Sequence, residues 1–288
     1  VFIIEDGECP VNREERCLVY QLIKKEPELV LQGPKGLLRI YAVDQNAVRI
    51  TATARDHFLD DPDTGDRTPV VLDPSPHLAY EMEESQDSVT MKLKSFALQV
   101  ALATGAITYL GRDGSPLVRE PAAGGRSIEE VTVYRNEFSG DGDLQETHSV
   151  DGVKVTGGEF RTVEDRKAYH AKVEFVFGHE GLYGFGSHEE GYGNLRGKSR
   201  QLYQQNMKAC VPSFVSTKGY GFLFDCGSLM TFEDNAYGSY VWMDVVDQWD
   251  YYFMAGANYK AVLGAYRRLT GSAPMAPKWA FGYGQSKE

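Results

Sequence analysis

Ala171-Lys172-Val173-Glu174-Phe175-Val176-Phe177 places apolar side chains at every second position, with Lys172, Glu174 and Val176 between them. A side-chain period of two belongs to a β-strand that turns one face to a core and the other to solvent. The pattern recurs along the chain. Val48, Ile50, Ala52 and Ala54 alternate with Arg49, Thr51 and Thr53, and Val89, Met91 and Leu93 alternate with Thr90, Lys92 and Lys94. Turn chemistry separates the runs: Gly111-Arg112-Asp113-Gly114 lies between Ile107–Leu110 and Pro116–Val118 and predicts a hairpin. The polar, Pro-rich stretch 60–76 and the segment Ser139-Gly-Asp-Gly-Asp143 predict loops. Many short strands at regular spacing from about 35 to 255 predict a mainly β fold, an antiparallel β-sandwich.

One helix interrupts this pattern late in the chain. Asn258 is a suitable N-cap, Val262, Tyr266 and Leu269 share a face, Arg267 and Arg268 suit the C-terminal end of the dipole, and Gly271 suits the C′ position. Pro274 and Pro277 end that element, because proline cannot continue a helix and biases its predecessor to extended geometry. The apolar run Trp279–Gly284 then reads as the start of a buried strand. The expected organisation is a β-sandwich domain over 1–255, followed over 256–288 by a linker helix and the first strand of a second domain that the chain only begins. Without neighbours, Trp279, Phe281 and Tyr283 are expected to be exposed, frayed or stuck to another surface.

Composition bounds the partners. The 30 Lys and Arg against 41 Asp and Glu give a net charge of −11, which argues against nucleic acid or an anionic membrane as partner and otherwise serves solubility. No apolar run approaches the length of a membrane span. Cys9, Cys17, Cys210 and Cys226 fit no metal or redox spacing; Cys9 and Cys17 could pair locally, but free thiols of a reducing compartment are the first reading, and no Asn-x-Ser/Thr site occurs; a cytoplasmic location is expected.

The local motifs favour no cofactor. Gly184 and Gly186 begin a dinucleotide-like pattern, but Glu189 stands where the third glycine belongs and no helix follows. Gly193-Asn-Leu-Arg-Gly197-Lys198-Ser199 has three residues between its glycines where a phosphate loop has four. The six histidines form no metal motif, so neither metal nor cofactor is expected; His188 with Glu189 and Glu190 reads either as a solvated loop or as part of a site. Trp242, Trp249, Tyr251 and Tyr252 read first as core and second as sugar-stacking faces.

Read together, several segments resemble glycoside hydrolase family 31, the α-glucosidase and α-xylosidase family. They are Tyr183-Gly-Phe-Gly186 with His188-Glu189, Leu202-Tyr-Gln-Gln-Asn206, Val211-Pro212-Ser-Phe-Val-Ser-Thr-Lys-Gly219-Tyr-Gly221, Ala265-Tyr-Arg-Arg-Leu-Thr-Gly271, Pro274, Pro277-Lys-Trp279-Ala-Phe-Gly282 and Gln285-Ser286-Lys-Glu288. Leu38-Arg39-Ile40 and Val48-Arg49-Ile50 match the opening strands of that family's sandwich, so the resemblance spans most of 35–288.

The resemblance implies a galactose-mutarotase-like sandwich, then a helix and the first strand of a (β/α)8 barrel. It also implies a retaining, exo-acting hydrolase of terminal α-glucosides or α-xylosides, in which one Asp forms a glycosyl-enzyme and a second serves as acid and base. Both belong to later barrel strands, so no catalytic residue is assigned in this chain. Gln204, Gln205 and Asn206 would lie on a loop that the sandwich sends over the barrel mouth, and Tyr283, Gln285 and Ser286 near the end of the first barrel strand. Gln205, Asn206, Tyr283 and Gln285 are the expected substrate contacts. Gly284 stands where the family carries a Trp, which removes an aromatic wall, and 232–252 leaves no room for the insert some family α-xylosidases carry. The implied partner is an oligosaccharide or small glycoside, and homo-oligomerisation is compatible with it. The competing readings are a non-catalytic carbohydrate-binding sandwich using Trp242 or Trp249, and a sugar mutarotase, for which the scattered histidines supply no acid–base pair.

Overall fold

The computed structural model describes residues 20–59, 70–72, 78–140, 144–150 and 152–285. Cys9, Cys17, His77, Ser286 and most of the predicted 60–76 loop lie outside the described residues. The described strands are all paired antiparallel. An eight-stranded sheet is formed by β1 (Gln21–Lys24), β2 (Leu29–Gly33), β3 (Gly36–Asp44), β4 (Ala47–Thr53), β20 (Trp249–Ala255), β17 (Tyr220–Phe224), β16 (Ala209–Ser216) and β14 (Leu182–Ser187), in that spatial order. One five-stranded sheet runs β5 (Glu81–Glu84), β6 (Ser88–Lys92), β7 (Phe96–Ala101), β8 (Ile107–Gly111) and β9 (Pro116–Arg119). A second runs β10 (Arg126–Gly140), β13 (Glu159–Phe175), β19 (Gly238–Val246), β18 (Met230–Asn235) and β15 (Ser199–Leu202). A small hairpin, β11 (Gln145–Ser149) with β12 (Gly152–Thr156), follows the far end of β10.

Both five-stranded sheets pack on one face of the eight-stranded sheet, which is the sandwich the alternation predicts. The layers meet through aromatic rings. Phe96 and Tyr109 meet Phe253 at 5.2 and 4.3 Å, Phe175 meets Phe222 at 4.9 Å, and Phe232 meets Phe185 at 5.2 Å. The Gly111–Ser115 turn forms as predicted, with Gly114 at φ 80° and the Asp113 carboxylate accepting from the Ser115 amide at 3.0 Å.

Helix α1 (Tyr259–Thr270) covers the opposite face of the large sheet. Asn258 caps it, accepting from the Ala261 amide at 3.1 Å, and Gly271 ends it at φ 86°. Val262, Ala265 and Leu269 bury against Tyr41, Val43, Ala47, Leu223, Tyr252 and Met254. Arg268 fastens the last turn to Asp44 through two contacts of 2.7 Å.

Three expectations need correction. The alternation in β4 assigned Arg49, Thr51 and Thr53 to solvent, yet every residue of β4 is buried, as is every residue of its neighbour β20. The large sheet is covered on both faces here, so a polar residue must find its partners internally. Asp250 supplies them, accepting from Arg49 Nε at 2.9 Å, Arg49 Nη2 at 2.8 Å, Thr51 Oγ1 at 2.5 Å and Gln248 Nε2 at 2.9 Å, while Arg49 Nη1 also donates to the Tyr41 hydroxyl at 2.7 Å.

The second correction concerns Trp279–Gly284, read as the first barrel strand. Lys278–Phe281 instead forms a single 3₁₀ turn. A strand needs a ladder partner, and no described strand lies beside this segment; the local bonds Ala280 N to Pro277 O at 2.9 Å and Gly282 N to Trp279 O at 3.1 Å satisfy its amides instead. Trp279, Phe281 and Tyr283 stand 80%, 74% and 92% exposed, as the absence of neighbours requires. At the predicted Ser139–Asp143 loop, β10 continues to Gly140, and residues 141–143 lie outside the described residues.

Candidate substrate-binding loop

The large sheet ends at β14 and the second five-stranded sheet ends at β15, so this edge of the sandwich is open. The chain crosses it twice, through 188–198 and through 203–208, before β16 pairs with β14. The two glycines that resembled a nucleotide motif have a structural task here. A Cβ on Gly184 would sit 2.4 Å from Ser213 O, and one on Gly186 would sit 1.8 Å from Ala209 O, with φ of 148° and 90°. Only glycine allows β14 to approach β16 so closely. Phe185 between them adopts φ 65°, unfavourable for a bulky residue, and its fully buried ring against Phe214 and Phe232 holds it there.

The second crossing is a tight turn. Lys208 N donates to Gln205 O at 3.1 Å, and Met207 takes the left-handed position at φ 65°. The Gln204 side chain closes its base, accepting from the Cys210 amide at 3.0 Å and donating to the Lys208 carbonyl. Gln204 is thereby occupied in holding the loop. Gln205 and Asn206 are exposed at its tip, and no described residue hydrogen-bonds either side-chain amide. A carboxamide offers both donors and acceptors, the complement that vicinal hydroxyls need.

Charged groups brace the turn. Glu190, on the first crossing, reaches Lys208 Nζ at 3.5 Å and Arg200 Nη2 at 3.5 Å. Arg200 is buried, lies 4.7 Å over the Tyr192 ring and donates to Gly184 O at 3.4 Å. The His188 side chain is fully buried, with Nε2 donating to Phe185 O at 2.7 Å and Nδ1 3.9 Å from the Glu190 carboxylate. A hydrogen bond from its own amide, helped by the charges of Arg200 and Lys208, holds the Glu190 carboxyl below the usual range against an opposing push from burial. Burial pushes the Cys210 thiol up, which keeps it protonated beside this cluster.

The other expected contacts stand elsewhere. Tyr283 and Gln285 are exposed, and no hydrogen bond, ion pair or ring contact joins them to the 203–208 loop among the described residues. Trp249 is fully buried and meets Tyr251 at 5.1 Å, so it cannot serve as a sugar platform. Trp242 lies partly exposed against His170 at 5.0 Å. Among the described residues no group of three or more His, Cys, Asp or Glu could hold a metal ion, and no helix is long and apolar enough to cross a membrane.

No protein-family model matches the chain. It is 38% identical over 135 residues to an α-xylosidase of Saccharolobus solfataricus, covering 43% of this chain and 18% of that protein. It is 25% identical over 269 residues to an uncharacterized family 31 glucosidase of Pseudescherichia vulneris, covering 93% of this chain and 47% of that protein. Among solved structures, a family 31 α-xylosidase from a soil metagenome, complexed with xylose, shares the fold at a TM-score of 0.66 and 22% identity over 90% of this chain and 36% of its own. The chain therefore spans less than half the length of the relatives it matches. The shared sandwich and the matched sequence together make the chain similar to the N-terminal β-sandwich part of glycoside hydrolase family 31 proteins.

Proposed function

We propose that this chain is the scaffold and loop-bearing part of a retaining, exo-acting α-glycosidase that hydrolyses terminal α-glucosides or α-xylosides. The observation that carries the proposal is the match of nearly the whole chain, 93% and 90%, to a family 31 glucosidase and a xylose-bound α-xylosidase. The chemistry requires one carboxylate to attack the anomeric carbon and a second to protonate the leaving oxygen and then activate water. Neither role is assigned to a residue of this chain. Its own contribution is binding: Gln205 and Asn206, at the tip of a braced turn, hydrogen-bond the sugar or aglycone, and Tyr283 and Gln285 join them once a barrel strand orders around Trp279.

In this reading residues 1–255 form the sandwich domain and 256–288 lead into the barrel. The Cys210 thiol is free, which suits a reducing, cytoplasmic setting. The ligand is a carbohydrate, an oligosaccharide or small glycoside, and the acidic surface gives no footing to nucleic acid. The test is proton NMR of the first product released from nitrophenyl α-glucoside and nitrophenyl α-xyloside by the full parent polypeptide. The α-anomer appearing first on one of them supports the proposal; the β-anomer first, or no hydrolysis of either, overturns it.

A further inference from the structure

We infer that Glu190 is a positioning residue for the 203–208 turn, holding Gln205 and Asn206 in the orientation in which they meet the sugar; this rests on the substrate role proposed above for those two amides. The turn carries little of its own stabilisation. Its tip is exposed, Met207 occupies a left-handed conformation that suits glycine, and its internal bonds are one backbone contact and the three made by Gln204, of which that to Gln205 O is long at 3.5 Å. What fixes it to the sandwich is charge. Lys208 closes the turn, and its ammonium lies 3.5 Å from Glu190 Oε1, while Glu190 Oε2 faces Arg200 at 3.5 Å.

Arg200 is anchored. It sits on β15, is 4% exposed, lies over Tyr192 and donates to the Gly184 carbonyl, so it is the fixed end of the chain of contacts and Lys208 is the movable end. His188 lies beside this bridge and is fixed separately: its Nε2 donates to the Phe185 carbonyl at 2.7 Å, and its buried Nδ1 stands 3.9 Å from Glu190. The carboxylate of Glu190 thus links Arg200 of β15 to Lys208 of the turn, and Arg200 in turn donates to the Gly184 carbonyl of β14. The turn between β15 and β16 hangs on that bridge by one ammonium.

The experiment uses Glu190→Gln and Lys208→Met, with Lys208→Arg as the conservative variant. In the 288-residue chain, amide hydrogen exchange is followed at residues 204–208 against the β16–β17 amides as a folding reference. The expected result is exchange at 204–208 about 5–10-fold faster in Glu190→Gln and Lys208→Met, unchanged protection of β16–β17, and restoration by Lys208→Arg. The same variants in the parent polypeptide are then assayed on the nitrophenyl glycosides, beside Gln205→Ala and Asn206→Ala. A rise in KM of about 3–10-fold with kcat within about twofold, absent from Lys208→Arg, is expected of residues that position a binding group. Exchange at 204–208 equal to the unaltered chain overturns the positioning role. A loosened turn with unaltered KM, matched by unaltered KM in Gln205→Ala and Asn206→Ala, overturns the substrate role of the amides on which the inference rests. Unaltered KM in the bracing variants alone overturns the inference while leaving that role intact.

Discussion

Replacing Asp250 by alanine removes the acceptor on which a buried cation depends. Arg49 is 6% exposed at its side chain and donates twice to Asp250, at 2.8 and 2.9 Å. Burial works against the Arg49 charge, but Asp250 more than offsets it and the guanidinium is held above its usual value. Without Asp250 the guanidinium keeps only the Tyr41 hydroxyl at 2.7 Å, and Thr51, also buried, loses the acceptor of its hydroxyl. Breaking a buried pair on one side costs about 3–5 kcal/mol, against about 5–15 kcal/mol for the whole fold of an ordinary domain. At about 2–4 °C per kcal/mol for a domain approaching this size, the melting temperature falls by about 6–20 °C. Arg135→Ala is the control: its pairs with Glu137 and Asp165 lie on an exposed face, with Arg135 59% exposed, and its loss costs under about 1 kcal/mol. Scanning calorimetry of both variants decides the matter. An Asp250→Ala shift no larger than that of Arg135→Ala would show that water or a neighbouring group compensates Arg49, and would refute the view that the large sheet is sealed on both faces.

Gly186→Ala drives a Cβ to 1.8 Å from Ala209 O at a φ of 90°, and it is expected to cost about 2–4 kcal/mol in urea unfolding, whereas Gly114→Ala, with nothing within 4 Å of the added carbon, costs only the strain of its φ of 80°. Acid should weaken the fold below about pH 4. Burial pushes the carboxyls of Asp44 and Asp234 up, but hydrogen bonds outweigh it, from Arg268 to Asp44 and from Ser239, Arg196 and Gly197 to Asp234, and both end below the usual range. The unfolded chain then binds protons at about pH 3.9 that the folded chain refuses, so the stability these groups supply is complete above that value and is lost as pH falls through their folded values. Glu120, raised by burial, works the other way and softens the fall. Urea midpoints at pH 7, 5, 4 and 3 should hold to about pH 4 and then drop.

Much of the sandwich is legible in the alternation of Val89–Leu93 and Ala171–Phe177, because each strand there has one covered face and keeps the simple period. The helix is legible for a similar reason: Asn258, Val262, Leu269 and Gly271 act locally, and local capping survives into the fold. Burial on both faces of β4 is not legible, since a helix arriving some 210 residues later covers the second face. The turn of Gln205 and Asn206 can be found through the family resemblance, but its bracing cannot. His188, Glu190, Arg200 and Lys208 are spread over three segments, and only the meeting of two sheet edges brings them together. The run Trp279–Gly284 has the composition of a strand and lacks a ladder, so composition alone misreads it.

The central claim is that this sandwich braces and supplies binding groups to a glycosidase whose reacting carboxylates are not its own. The direct test is a side-by-side initial-rate assay of the purified 288-residue chain and of its full parent polypeptide on nitrophenyl α-glucoside and nitrophenyl α-xyloside. The account predicts hydrolysis of one or both by the parent and none by the chain alone; robust turnover by the chain alone would contradict it.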